Sequence, residues 1–172
     1  MQLIYLDHNA TTPVDPEVVE AMLPHLTDDF GNASSVHQFG RSAKVALESS
    51  RESIASFINC LPSELFFTSG GTESDNLAIL GTATHFRGKK KHLVVAANEH
   101  HAVIESAEHL HHKEGFDLSL LPVDAEGFAH AEQLRPLLRE DSFLVSVMHA
   151  NNETGTIQDL RPLADVAHEK NI

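Results

Sequence analysis

A chain of 172 residues, 41% hydrophobic and 22% charged, is long enough to bury a sizeable core and ordinary enough for a soluble globular fold. Its formal net charge of -13 argues against wholesale binding of nucleic acid or an anionic membrane. The single cysteine, Cys60, excludes an internal disulfide and fits a reducing compartment.

The start, Met1 to Asp7, has neither a basic n-region nor a long apolar h-region, so no signal peptide is expected. Apolar runs of membrane-spanning length are absent from the sequence, and the expected location is cytoplasmic. Leu3 to Leu6 is a short apolar segment that leads into Asp7-His8-Asn9-Ala10-Thr11-Thr12-Pro13, a structured turn by its small polar residues and proline. Asp15-Pro16 opens a helix, with Asp as cap, Pro in its first position, and Val18, Val19, Met22, Leu23 and Leu26 on one face. The polar stretch Gly31-Asn32-Ala33-Ser34-Ser35 reads as a loop. From His37 to about Asn59 a long amphipathic helix follows, with Ala43, Ala46, Leu47, Ile54, Phe57 and Ile58 in its stripe. Cys60 comes after it beside Ile58, Leu61 and Pro62, where a buried, inert thiol is favoured over a nucleophile, since no neighbouring His or Lys lowers its pKa.

Leu65-Phe66-Phe67 reads as a strand. Thr68-Ser69-Gly70-Gly71-Thr72-Glu73-Ser74-Asp75-Asn76 follows it, and Leu77, Ile79 and Leu80 then fall at helical spacing. A strand, a glycine turn and a helix N-terminus gather unpaired N–H groups and the positive end of a helix dipole at one point. Gly70 and Gly71 let backbone approach an anion, and the Ser69 and Thr72 hydroxyls add donors, so a phosphate is the natural ligand. A ligand-free helix capped by Thr72 or Ser74 competes with that reading. The motif is neither a P-loop nor GxGxxG.

Further on, Gly88-Lys89-Lys90-Lys91 is a solvated basic turn, and His92 to Ala97 is a near-continuous apolar run, as in a strand buried on both faces. Asn98-Glu99-His100-His101 is the loop at its end, before a helix from about Ala102 to Lys113. Phe116 to Val123 reads as a strand, Asp124 to Gly127 as a turn, and Ala131 to Arg139 as a helix interrupted or begun at Pro136. Phe143 to Met148 reads as a buried strand, His149 to Gly155 as a polar loop, and Pro162 to Glu169 as a helix. Alternating strands and helices predict an α/β, three-layer αβα domain with a mainly parallel sheet. In such a sheet ligands bind beyond the strands' carboxyl ends, where Ser69–Glu73, Asn98–His101 and His149–Glu153 would converge. That convergence favours the phosphate.

Single residues keep two readings each. His100 could lie against a planar ligand or shuttle a proton, or be a surface loop histidine. Asn151 and Asn152 could bind a carboxylate or ring oxygen, or form a turn. His101, Glu105 and His109 share a helix face, a zinc-like spacing in a segment rich in histidine, and a solvated face is the favoured reading.

Five ordered motifs resemble one family: Tyr5–Pro13, Gly31–His37, Phe67–Asn76, Asn98–Val103 and Met148–Gly155. Together they resemble the cysteine desulfurases of the class V aminotransferase group, enzymes of the type I aminotransferase fold that use pyridoxal phosphate (PLP). Residues 1–172 then correspond to the N-terminal part of the large domain. The resemblance implies PLP as the phosphate ligand, with Gly71 and Thr72 at its phosphate and His100 stacked on its ring, assisting proton transfer. It also implies Asn152 beside the cofactor–substrate adduct and Ala10, Thr11 and Thr12 along the substrate entrance. Ala33 stands where the family usually has proline.

The implied reaction takes sulfur from L-cysteine, leaving alanine and an enzyme persulfide for iron–sulfur cluster or thiocofactor assembly. The implied partners are a second copy in a homodimer or a complementing C-terminal chain, and a sulfur acceptor or iron–sulfur scaffold protein. A selenocysteine lyase, another class V aminotransferase and a non-catalytic remnant that binds phosphate or a partner are the alternatives. None of Lys89, Lys90, Lys91, Lys113 and Lys170 matches the family's Schiff-base lysine, and Cys60 does not match its nucleophile. This chain alone is therefore expected to be inactive, as an incomplete record, a split half or a remnant.

Overall fold

In the computed structural model, which describes residues 3–172, β1 (His92–Ala96) is the central strand, and all five of its residues are buried. It pairs in parallel on one side with β2 (Asp117–Leu121) and on the other with β3 (Ser142–Ser146), giving the order β2-β1-β3. Pairing on both edges satisfies the ladder's N–H and C=O groups, and burial on both faces explains the unbroken run Leu93-Val94-Val95-Ala96. Between His92 and Leu93 the register with β3 slips by one residue, opposite Phe143, which is buried in the core.

Side-chain alternation along β1 divides the core into two layers. Leu93 and Val95 pack with Ile79 and Ala83 of α3 (Gly71–Phe86) and with Val103, Ala107 and Leu110 of α4 (His101–Glu114). Val94 faces the other way, against Leu134 of the short α5 (Ala131–Leu134) and Leu163 and Val166 of α6 (Leu160–His168). Helices thus cover both faces of a parallel sheet, the three-layer αβα arrangement expected. Pro136 sits in a 3-10 turn over Arg135–Leu137 directly after α5, so the helix expected to reach Arg139 stops early. Proline has no N–H to continue an α-helical ladder.

The described residues form two compact units, one running up to Phe67 and the other Thr68–Ile172. The first holds α1 (Pro16–Thr27) and α2 (Gln38–Phe57). Asp15 caps α1 by accepting the Glu17 N–H at 2.9 Å, and His37 caps α2 through Nδ1 and the Gly40 N–H at 3.4 Å. Gly40 is required by sterics, because a Cβ there would come within 2.2 Å of the Ser35 carbonyl oxygen. Ser42 ties α2 to the preceding loop through Asp29, and Arg51 reaches the Leu65 carbonyl at 2.5 Å with its guanidinium over the Phe67 ring.

Two expectations fail in this unit. Leu65–Phe67 is extended but is not a strand: among the described residues no neighbouring strand takes its backbone groups, and Phe66 is exposed. The apolar stripe of α2 is largely exposed too, with Phe57 at 91%, because amphipathic spacing forms a helix but does not supply a layer to cover it. Cys60 is half-buried, so its sequence neighbours overstate its enclosure.

His92 is a buried polar group inside an apolar run. Its Nδ1 lies 2.6 Å from Ser142 Oγ and its Nε2 lies 2.9 Å from Ser119 Oγ, so a neutral ring bridges all three strands. Burial pushes this imidazole below its ordinary value near 6.5, and nearby Arg139 adds to the effect against Asp141 and Asp117. The folded state resists a proton that the unfolded chain accepts. Its contribution to stability is present above about pH 6.5 and is lost as the pH falls from there through the folded value.

Urea unfolding at pH 7.5 and pH 5.5 should show lower stability at the acid value, and His92→Gln, which cannot titrate, should flatten that difference (pH values about one unit either side of the histidine range). Leu110→Ala, at a fully buried α4 position, should cost about 2–5 kcal/mol in the same assay, more than any exposed substitution on that helix.

Candidate cofactor site

The carboxyl ends of the three strands open into loops that are fastened by side-chain amides. Asn98, after β1, donates from Nδ2 to the Gly127 carbonyl at 3.1 Å. Asn151, after β3, donates from Nδ2 to the Asn98 carbonyl at 3.0 Å. Gln158 is buried and donates to the same Gly127 carbonyl at 2.6 Å, while its Oε1 accepts the Ala129 N–H at 2.9 Å. Gly127 adopts φ +86°, where an L side chain is strained, and that conformation aims its carbonyl at both amides. Beside it Asp124 accepts the N–H groups of Phe128 and Glu126 and faces His130 at 2.6 Å, bonds that hold its carboxyl below the usual range.

His100 occupies the N-cap of α4. Its Nδ1 accepts the Ala102 N–H at 3.1 Å, which places the ring hydrogen on Nε2, and the ring is exposed. Glu99 is buried beside it: Oε1 accepts from Ser146 Oγ at 2.8 Å and Oε2 from the His100 N–H at 3.3 Å. Asn152 is exposed, and its amide donates to the Glu153 carboxylate at 3.0 Å.

At the head of α3, Gly70 is the N-cap and offers no side chain. The first helical bond runs from the Ser74 N–H to the Gly70 carbonyl at 3.1 Å, so the N–H groups of Gly71, Thr72 and Glu73 bond no described residue. A Cβ built on Gly70 or Gly71 would meet nothing within 4 Å, so the approach to these donors is open. Thr72 and Asn76 of α3 line a cleft of about 320 Å³ with Ala102, Glu105 and Ser106 of α4, and Ser106 Oγ donates to Asn76 at 3.0 Å. The two helix starts therefore lie side by side. Three unclaimed N–H donors, a hydroxyl and a helix dipole form a donor set that suits a phosphate dianion.

One expectation fails here, that of a free Ser69 hydroxyl, and two competing readings find no support among the described residues. Neither Thr72 nor Ser74 caps α3, since both lie inside it. The Ser69 hydroxyl is not free for an anion, because Glu73 Oε2 takes both its O–H and its N–H at 2.6 Å. A carboxylate in a helix's first turn reaches back to upstream donors, as in a capping box. His101, Glu105 and His109 are all exposed on α4, and among the described residues no cluster with metal-ligand geometry occurs.

The class-V aminotransferase family model matches residues 4–172. The chain belongs to that family. Among class-V relatives, a cysteine desulfurase IscS of Dictyoglomus turgidum is 49% identical over 169 residues, covering 98% of this chain and 43% of the relative. An IscS of Methanosarcina thermophila is 45% identical, with 98% and 42% covered. A solved NifS-like protein superposes with a TM-score of 0.93 at 40% identity, covering 98% of this chain and 46% of that one. SspA, solved in complex with cysteine, gives 0.91 at 38% identity, with 98% and 48% covered. The chain thus spans less than half the length of these class-V relatives.

Of the residues singled out by sequence, Gly71, Thr72, His100 and Asn152 all lie in the second unit, at helix starts and loops on the sheet's carboxyl side. Ala10, Thr11 and Thr12 lie in the first, in a turn where the Ala10 N–H meets the Asp7 carbonyl at 3.2 Å and Tyr5 Oη donates to it at 2.7 Å. Ser146 and Gln158 carried no functional signal in the sequence, and Asn98 and Glu99 only that of their loop, because burial of a polar side chain is not visible there. The Asn98 Oδ1 is itself buried without a partner among the described residues.

The Ser69 bonds hold the Glu73 carboxyl below its ordinary 4.5, so their support is present above that value and lost as the pH falls through the folded one. The Ser69 amide shift should therefore titrate below pH 4.5 in an NMR series, and Glu73→Gln should abolish that titration.

Proposed function

We propose that this chain supplies the cofactor cradle of a PLP-dependent cysteine desulfurase. The observation that carries the reading is the uncapped start of α3, whose Gly71, Thr72 and Glu73 N–H groups are unclaimed in a chain of the class-V family. Gly71 and Thr72 hold the cofactor's phosphate there, with the Thr72 hydroxyl as a further donor. When bound, PLP supplies an electron sink for charge developing on the substrate's α-carbon.

The neighbouring residues orient and protonate. His100 would face the cofactor ring, and its Nδ1 bond to the Ala102 N–H would leave Nε2–H as the position from which a proton moves. The Asn152 amide, which here donates to the Glu153 carboxylate, exchanges that partner for the carboxylate of L-cysteine. An entrance role for Ala10, Thr11 and Thr12 rests on the family resemblance alone. The Schiff-base lysine and the cysteine that receives sulfur come from polypeptide outside these residues, in the same chain or a complementing one. A second copy and a sulfur acceptor, such as an iron–sulfur scaffold, are the partners this reading requires. A cytoplasmic setting fits its single cysteine.

Titration with PLP and with pyridoxal, read by amide NMR, tests the cradle without requiring turnover. PLP should shift Gly71, Thr72 and Glu73 while pyridoxal, lacking the phosphate, should not. Thr72→Glu should weaken the PLP effect by tenfold or more, about 1.4 kcal/mol of charge repulsion and lost hydrogen bonding. Equal responses to the two ligands, or none at these amides, would overturn the reading.

A further inference from the structure

Asn151 is only 8% exposed, and its side-chain amide is bonded on both ends. Oδ1 accepts the N–H groups of Glu153 and Thr154, each at 2.9 Å, and so shapes the turn that begins at Asn152. Nδ2 donates to the Asn98 carbonyl at 3.0 Å, two residues before His100, and lies 3.1 Å from Met148 Sδ. The Asn151 N–H in turn donates to the Thr156 carbonyl at 2.9 Å, which fixes the base of the turn.

Among the described residues this amide makes the one hydrogen bond directly between loop 97–100 and loop 149–155. The other anchors of the first loop reach elsewhere: Glu99 to Ser146 of β3, the Asn98 amide to the Gly127 carbonyl, and the Ala97 N–H to the Leu121 carbonyl, none of them in the loop that carries Asn152. We propose that Asn151 is a positioning residue: it locks His100 and Asn152 at a set spacing, so that the ring-facing histidine and the carboxylate-binding amide act on one substrate. The importance of that spacing for turnover rests on the function proposed above, but the lock itself does not. Glutamine would overshoot both loops. Aspartate keeps the acceptor for the turn, and in place of the donor that crosses to Asn98 it sets an oxygen against that carbonyl, so the crossing bond is broken while the turn's acceptor stays.

The test compares this chain with its Asn151→Asp and Asn151→Ala variants, without cofactor, by amide hydrogen exchange and imidazole ¹⁵N shifts. The Val94 and Val95 amides and the buried His92 ring report whether the sheet is intact. In both variants the Ala102 amide should exchange about tenfold faster and the His100 ring shifts should move, while the β1 reporters stay unchanged. Glu153 and Thr154 should stay protected in Asn151→Asp and lose protection in Asn151→Ala.

Unchanged Ala102 and His100 signals in both variants would overturn the proposal and leave Asn151 as a turn former. Loss of the β1 reporters in Asn151→Ala alone leaves Asn151→Asp to decide, and their loss in both would make Asn151 a residue of the fold, which also overturns it. Adding PLP afterwards keeps the two readings apart. Shifts at Gly71 to Glu73 that persist in Asn151→Asp support the cradle whether or not His100 has moved.

Discussion

Everything in the second unit hangs on β1 being paired along both edges and buried on both faces. A strand so enclosed cannot shift register by one residue without turning Leu93 and Val95 from the α3–α4 layer to the α5–α6 layer. Its five residues therefore set where both helical layers sit and where the following loop leaves the sheet. His92 extends the same constraint to the sheet's amino end, where one neutral imidazole spans Ser119 and Ser142. The stability of this end and the chemistry of the other are thus carried by opposite ends of a single short strand.

At the carboxyl end the physics changes from apolar packing to hydrogen-bond accounting. Loops over a sheet edge carry many backbone groups with no ladder partner, and side-chain amides satisfy them here. Asn98, Asn151 and Gln158 join three loops that are far apart in sequence, converging on the Gly127 and Asn98 carbonyls. The same loops leave His100 and Asn152 exposed, so rigidity and accessibility come from adjacent residues in one segment. At α3 the logic is reversed: the first-turn N–H groups have no partner among the described residues and stay open to solvent, where an anion can reach them.

Family membership and this geometry bear on different questions. The class-V match and the desulfurase relatives define the kind of protein, and their lengths show that this chain spans under half of such a protein. The local geometry supplies what the proposed reading draws on: N–H groups at the start of α3 with no described partner, an imidazole whose Nδ1 is engaged, and an exposed amide. In the proposed reading this chain contributes binding, orientation and one proton position, and the nucleophiles come from elsewhere.

Much was legible in the sequence because its signals are local. The run His92 to Ala97, the cap at Asp15 and the glycine turn before α3 each follow from a few neighbouring residues, and the ordered motifs are the source of the roles proposed for Gly71, Thr72, His100 and Asn152. Two failures came from missing long-range partners: among the described residues Leu65–Phe67 has no neighbouring strand and the α2 stripe no covering layer. The third was local, the Ser69 hydroxyl being taken by Glu73 four residues on. The sequence by itself determined the alternation of strands and helices and the residue types at the site, since periodicity, capping and motif order reside in short stretches. Only the tertiary structure decided that His92 is a buried bridge and that Asn151 joins two loops, because a side chain's burial and its partners across 50 residues arise only when the strands pair.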